Sequence, residues 1–189
     1  MILLIGAAAG LLTGLGWALR NRVRYEAPAL VHLWLVPTAF LMQVWERNAN
    51  LPIIASQLVF IVFAFRNRAY LGMKLLLAGA ALNFLAMASN GGYMPINPQT
   101  ASRLFPNQNM ADVPAGTLFG VKDILLPPEQ TRFEILADRF LPPAGFPYQF
   151  AFSLGDVFIA AGVFWLLARQ SQPQTQRVSK FLEEKRLTP

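Results

Sequence analysis

The sequence predicts an all-α integral membrane protein of about five transmembrane helices, with its N-terminus outside and its C-terminus cytoplasmic. A long proline-rich outer loop containing a short helix completes the expected fold. Three observations lead there. Of the 189 residues 54% are hydrophobic and only 14% charged, with a mean hydropathy of +0.40, whereas soluble domains are about a quarter charged. The apolar residues gather into runs near the about 20 residues that a helix needs to cross a bilayer core. Basic residues collect between alternate runs, the pattern expected of cytoplasmic connections.

The first span is "ILLIGAAAGLLTGLGWAL", residues 2–19. No basic stretch precedes it and arginines follow it, so it reads as an uncleaved anchor entering from outside rather than a secretory leader. Gly6, Gly10 and Gly14 repeat at i, i+4 and i+8. They form a doubled G-x-x-x-G face that lets another helix approach closely. That neighbour lies in this chain or in another protein, the first being the simpler choice.

The second span covers 27–45 and contains the single histidine, His32. A histidine within a membrane ligates a metal or pigment, relays protons or bonds another helix. With no second axial ligand available, an interhelical hydrogen bond is the plainer reading. The third span, 51–65, is the shortest, and the fourth covers 70–89. Gln43, Gln57 and Asn83 are polar residues within spans, most simply interhelical hydrogen-bonding groups.

Residues 1–89 thus form a block of four helices. Residues 90–149 hold nine of the fourteen prolines, which rules out one long helix. A loop this long, rich in apolar side chains, is expected to be ordered. Within it "TRFEILADRF" predicts a short amphipathic helix near 132–140, with Thr131 and Glu134 at capping-box spacing. At the loop's start, Asn90, Gly91, Gly92 and Pro95 read as a helix exit. The fifth span, 150–168, begins with Ser153 and Asp156 in a second capping pattern. Residues 169–189 read as a basic, amphipathic cytoplasmic tail.

Charge sets the orientation. Eleven basic residues, among them Arg20, Arg22, Arg24, Arg66, Arg68 and Lys74, fall on one side, and five on the other. The two sides carry net charges of +8 and −1, with Asp156 inside the membrane. The +6 of the whole chain is therefore a topology signal, and no nucleic-acid partner is expected. No cysteine is present, which excludes disulfides and thiolate metal or iron–sulfur sites. No phosphate loop or metal-ligand cluster is visible, so neither cofactor nor metal is expected.

Asp156 stands at the outer end of the last span, where a carboxylate complements the helix dipole. A second reading pairs it with Asp138 as two carboxylates that activate water, one as base and one as acid. "ADRF" followed by "FSLGDVFIAAG" is loosely similar to the motifs of prolipoprotein signal peptidase. The likeness covers some twenty residues, lacks that family's asparagines, and has Gly155 in place of an alanine.

Over nearly the whole chain, "LNFLAMASNGGYMPINP", "LLPPEQTRFEILADRFLPP" and "FAFSLGDVFIAAGVFWLL" together resemble the bacterial membrane family known as domain of unknown function 5317. The resemblance implies a short polytopic protein with an Asn-Gly-Gly-x-Met-Pro exit, a Thr-Arg…Asp segment and a closing Phe-Ser-x-Gly-Asp span. Where the family pattern has Lys-His, this chain has Lys122–Asp123, so no role of that histidine carries over. The expected function is that of a multi-pass protein of the bacterial plasma membrane, an accessory or structural subunit of a larger complex. A respiratory or photosynthetic electron-transport assembly is the expected kind of host. The bilayer and membrane-protein subunits are the expected partners. An aspartate-dependent hydrolase at the membrane surface is the alternative.

Overall fold

The structure is a computed structural model and describes residues 1–45, 50–143 and 145–169. The amphipathic tail expected over 169–189 lies, apart from Arg169, outside the described residues. The fold is mostly helical: α1 (Ile2–Arg20), α2 (Leu35–Trp45), α3 (Asn50–Arg66), α4 (Leu71–Ser89), a short α5 (Pro98–Leu104) and α6 (Leu154–Ala168). Two of these, α1 and α4, are long and apolar enough to cross a membrane; α2, α3 and α6 are apolar but shorter.

The helices form a row out of chain order. α1 packs on α6, α6 on α4, α4 on α3, and α3 on α2. No close packing joins the two ends of the row, α1 and α2. The last helix occupies the second place because small residues let its neighbours reach its backbone. A Cβ on Gly6 would meet the Ala160 carbonyl oxygen at 2.6 Å, one on Gly10 the Phe164 oxygen at 2.6 Å, and one on Gly14 the Leu167 oxygen. The partners advance together, so α1 and α6 run parallel. On the other side Gly79 meets Gly155 and Gly72 meets Gly162, so α4 and α6 run antiparallel. Close backbone approach through glycine stripes supplies the packing that large side chains would prevent.

The second helix is shorter than the span expected over 27–45. Residues 27–34 are not helical, and His32 has φ 57°. Asn67, just beyond α3, explains this. Its Oδ1 accepts from Val31 N at 2.8 Å, and its Nδ2 donates to Val31 O at 3.0 Å. A side chain thereby replaces the helical partners that the backbone would otherwise need. Tyr70 adds a bond from its hydroxyl to Ala29 O at 3.1 Å.

Between α4 and α6 the chain builds a small sheet that the all-α expectation lacked. β1 (Met94–Ile96) lies parallel to β3 (Asp123–Leu125), with β2 (Leu118–Phe119) antiparallel on its far side. Strands of two or three residues leave no stretch in which alternation becomes readable, so the elements escape a periodicity argument. Pro95 is tolerated because Met94 N and Ile96 O make the bonds to the β3 side, to Lys122 O and Leu126 N, so no amide is needed at position 95.

The helix expected near 132–140 is also corrected: one 3-10 turn, Glu134–Leu136, stands in its place. Thr131 does not cap it, because its hydroxyl donates to Pro127 O at 3.0 Å. Two tertiary attachments pull the segment out of helix. Leu136 is buried against Ile53, Met87 and Tyr93, and Asp138 N donates to Pro95 O at 3.0 Å, pairing this strand-like stretch with β1.

The exit from α4 follows from its glycines. Gly92 N donates to Met87 O at 2.8 Å, closing the helix end, with Gly91 at φ 71° and Gly92 at φ 93°. Gly91 has open space around it, whereas a Cβ on Gly92 would stand 2.6 Å from Asn50 Cβ. Gly91→Ala is therefore expected to cost about 1–2 kcal/mol from its left-handed backbone alone. Gly92→Ala adds an overpacking penalty of about 1–3 kcal/mol. Thermal unfolding of the two variants in one detergent tests this; equal losses would contradict it.

Candidate functional site

The outer ends of α4 and α6 are joined by a network of polar side chains. Ser153 caps α6 by accepting from Asp156 N at 3.0 Å, and Asp156 Oδ2 accepts from Ser153 N at 3.2 Å. This reciprocal arrangement satisfies amides that a helix N-terminus leaves free. Asn83 of α4 then bridges both residues. Its Nδ2 donates to Asp156 Oδ1 at 2.8 Å and its Oδ1 accepts from Ser153 Oγ at 2.8 Å. Gly155 is part of this design, since a Cβ there would collide with Asn83 Oδ1.

Lys122, immediately before β3, forms the second half of the site. Its backbone carbonyl accepts from Met94 N at 2.7 Å, which fixes its place beside β1. Its Nζ donates to Asp138 Oδ2 at 2.9 Å and lies 3.5 Å from Asp123 Oδ1. Burial opposes the Lys122 charge, but the carboxylates of Asp138, Asp123 and Asp156 outweigh it and hold the ammonium well above the usual lysine value.

Asp138 is 2% exposed. Burial pushes its carboxyl up to about 7 against the pull of Lys122, and Asp123 and Asp156 add to the rise. Burial likewise raises Asp123, with Lys122 opposing. Among the described residues, Asp123 Oδ1 and Asp138 Oδ1 are buried without a hydrogen-bond partner, while the Asp123 carboxyl feels Asp138 at hydrogen-bonding range. One proton on either carboxyl supplies the missing donor.

Beneath this cluster an interhelical cavity of about 330 Å³ opens inside the curve of the row. α1, α2, α3, α4 and α6 all line it, and Leu30 and Leu33 contribute from the stretch before α2. The walls are apolar except for Gln43, Gln57, Asn83, Lys122 and Asp156. Its size lies within the range of about 300–1,000 Å³ that is usual for small-molecule sites, as does the combination of apolar walls with few polar groups. Gln43 Nε2 donates to Ser56 Oγ at 3.0 Å. Gln57 is only 7% exposed and, among the described residues, has no side-chain hydrogen bond.

The residues singled out from sequence separate into distinct places. Asp138 and Asp156 are both brought into the field of Lys122 but bond different partners: Asp138 bonds Lys122, and Asp156 bonds Asn83 and Ser153. Asn90 serves the helix exit: its Nδ2 donates to Ala86 O at 2.7 Å and Arg132 O at 2.8 Å, while its Oδ1 accepts from Arg132 N at 2.9 Å. It therefore ties the end of α4 to the segment carrying Asp138. Gly91, Gly92 and Pro95 lead into β1, and the Pro95 carbonyl holds the Asp138 backbone. Gly6, Gly10 and Gly14 lie along the α1–α6 seam.

His32 lies away from this site, exposed, in the non-helical approach to α2, with its Nε2 3.3 Å from Arg66 Nη2. The expectation of a histidine inside a helical span is corrected by the Asn67 clamp that keeps its segment unwound. Sequence reasoning missed Lys122 as a functional residue. The available signal was a lysine next to Asp123 within the apolar "GVKDILLP", but its partner Asp138 is sixteen positions on and meets it only through the sheet.

A search of solved structures finds no match. An uncharacterized protein of Thermotoga maritima is 29% identical over 177 residues, covering 93% of each chain. Residues 27–168 match the model of a family of unknown function, DUF5317, and those residues hold α2 through α6, the sheet and the whole polar cluster. The chain belongs to the DUF5317 family.

Proposed function

We propose that the chain is a multi-pass protein of the bacterial plasma membrane, with five spans formed by α1, α2, α3, α4 and α6. It works as an accessory or structural subunit of a larger complex, and electron-transport assemblies are candidate hosts. One observation carries this reading: the two open ends of the helix row expose large apolar side chains, such as Leu4, Leu12, Phe40, Leu41 and Val44. Apolar surface of this extent calls for lipid or a protein neighbour. α2 spans about 16 Å at 1.5 Å per residue, so its crossing is completed by residues 27–34, whose backbone Asn67 helps to satisfy, as a low-dielectric environment requires.

Asp138 engaged by Lys122, and Asp156 by Asn83 and Ser153, support a holding role over water activation. Orientation follows from Arg20, Arg22, Arg66 and Arg68 at the end opposite the sheet. Because the chain has no cysteine, single-cysteine labelling has no background. Gln108→Cys is expected to react from outside intact cells and Arg22→Cys only after permeabilisation; the reverse pattern would sink the topology. Mild-detergent purification with mass spectrometry is expected to recover stoichiometric membrane subunits, and a monodisperse lone protein would overturn the accessory role.

A further inference from the structure

We propose that the interhelical cavity is a binding site for a neutral, single-chain amphiphile whose head carries hydroxyl or carbonyl oxygens, entering from the bilayer between α1 and α2. The proposal rests on the membrane reading above and adds a ligand class to it. Ile2 and Leu3 of α1 and Phe40 of α2 all line the cavity. These are the two helices that close packing does not join, so the row leaves a lateral opening for a chain arriving from lipid. The inner part, between Phe63, Met73 and Leu166, offers nothing polar to a guest and suits an alkyl tail.

The head is defined by the polar groups that remain. Gln57 faces the cavity with its amide unpartnered although more than nine-tenths buried. An amide facing an apolar cavity lacks the partners it would have in water, and an oxygen-bearing head supplies it with both an acceptor and a donor. Lys122 lines the same space and has more N–H groups than its hydrogen bond to Asp138 uses. Asp156 retains acceptor capacity beyond its bonds to Asn83 and Ser153.

Charge then selects among heads. An anionic head meets Asp156 on the cavity wall, while the Lys122 ammonium is already engaged by Asp138 and Asp123. A cationic head meets Lys122, whose charge those carboxylates hold in place. A neutral head meets neither repulsion, and it bonds donors and acceptors alike.

The test compares three probes with one chain and different heads: 1-monooleoylglycerol, oleate and oleylamine. Binding to the delipidated full-length protein in a mild detergent is measured at equilibrium and by native mass spectrometry. Monooleoylglycerol is expected to bind at one per chain and about tenfold or more tighter than either charged probe, a difference that one or two lost hydrogen bonds produce. Gln57→Leu is expected to weaken monooleoylglycerol about five- to tenfold while leaving oleate and oleylamine nearly unchanged. Val163→Phe, or Val36→Phe from the opposite wall should the first fail to fold, is expected to abolish stoichiometric binding of all three.

Equal affinities for the three heads, or indifference to both Gln57→Leu and the cavity-filling variant, would show non-specific filling by alkyl chains and overturn the proposal. Binding in detergent does not depend on orientation. A labelling pattern that contradicts the topology, with head selectivity intact, removes the membrane reading alone; correct labelling without head selectivity removes this site alone.

Discussion

Lys122→Met is expected to destabilise the protein by about 3 kcal/mol at pH 8, the lower end of the range for removing one member of a buried ion pair, because Asp138 is buried while Lys122 is a third exposed. The variant leaves Asp138, Asp123 and Asp156 to repel one another without the ammonium that Asp138 bonds at 2.9 Å. Asp138→Asn is expected to cost far less, within about 1.5 kcal/mol, because an amide replaces one hydrogen-bonding partner and Lys122 keeps Asp123 at 3.5 Å. The asymmetry is the test: one cation serves several carboxylates, so the two members of the pair are not equivalent.

The pH dependence sharpens it. The Asp138 carboxyl rises from 3.8 to about 7 on folding. Between about pH 4 and 7 the folded protein therefore holds a proton that the unfolded chain has released. Stability contributed by this group falls as pH rises through that window and is restored as pH drops. Without Lys122 the carboxyl groups lose the pull that lowers them and rise further. The deficit of Lys122→Met is thus expected to shrink markedly from pH 8 to pH 5, measured by denaturation in one detergent at both values. A deficit that grows on acidification, or none at pH 8, would refute this account of the cluster.

Gly155→Leu is the second large expectation. The glycine lies where α4 and α6 touch: a Cβ there would collide with Asn83 Oδ1 and stand 2.7 Å from Gly79 O. Neither can withdraw freely, since one is backbone and the other holds Asp156 and Ser153. Leucine adds three further carbons to that collision, so α4 and α6 must separate and the Asn83 bridge must break. The cost is expected at or beyond the upper end of the about 1–3 kcal/mol usual for overpacking.

Gly16→Leu is the matched control. Gly16 is exposed on α1 with nothing within 4 Å of a Cβ, and glycine is a poorer helix former than leucine by somewhat under about 1 kcal/mol. Gly16→Leu is expected to unfold at or slightly above the wild-type temperature while Gly155→Leu unfolds well below it or fails to elute as a single species. Similar behaviour of the two would mean that helix propensity, not the α4–α6 seam, governs the response.

Several elements were legible because their cause is local. Runs of apolar residues mark α1, α3 and α4 to within a residue or two, since a helix saturates its own backbone and needs only a suitable composition. The cap of α6 is readable too: Ser153 and Asp156 are three positions apart, within reach of each other along one turn. The start of that helix was placed four residues early because Phe152 pairs its backbone with Phe140, a partner that periodicity does not reveal.

Other features depended on distant pairings. Asn67 keeps residues 27–34 out of helix, and nothing near Val31 in sequence announces it. The turn at Glu134–Leu136 replaces a longer helix because Pro95 and the Leu136 pocket offer the segment more than its own hydrogen bonds would. Gln57 and Asn83 look alike as polar residues within apolar runs. Only their surroundings separate an amide bonded on both sides from one left facing a cavity.

The sequence by itself determined the helix-rich composition, the end of the bundle that carries basic charge, the glycine stripe on α1 and the cap that starts α6. Each follows from residues within one or two turns of one another, or from composition alone. Tertiary structure decided that the stripe meets α6, that α1 and α2 are not closely packed on each other, and that Lys122 stands among three aspartates above a cavity. Apart from the adjacent Lys122 and Asp123, those arrangements join residues from 15 to more than 150 positions apart. Side-chain identity supplies the charge and the hydrogen-bonding groups, but the folded backbone selects which of them meet.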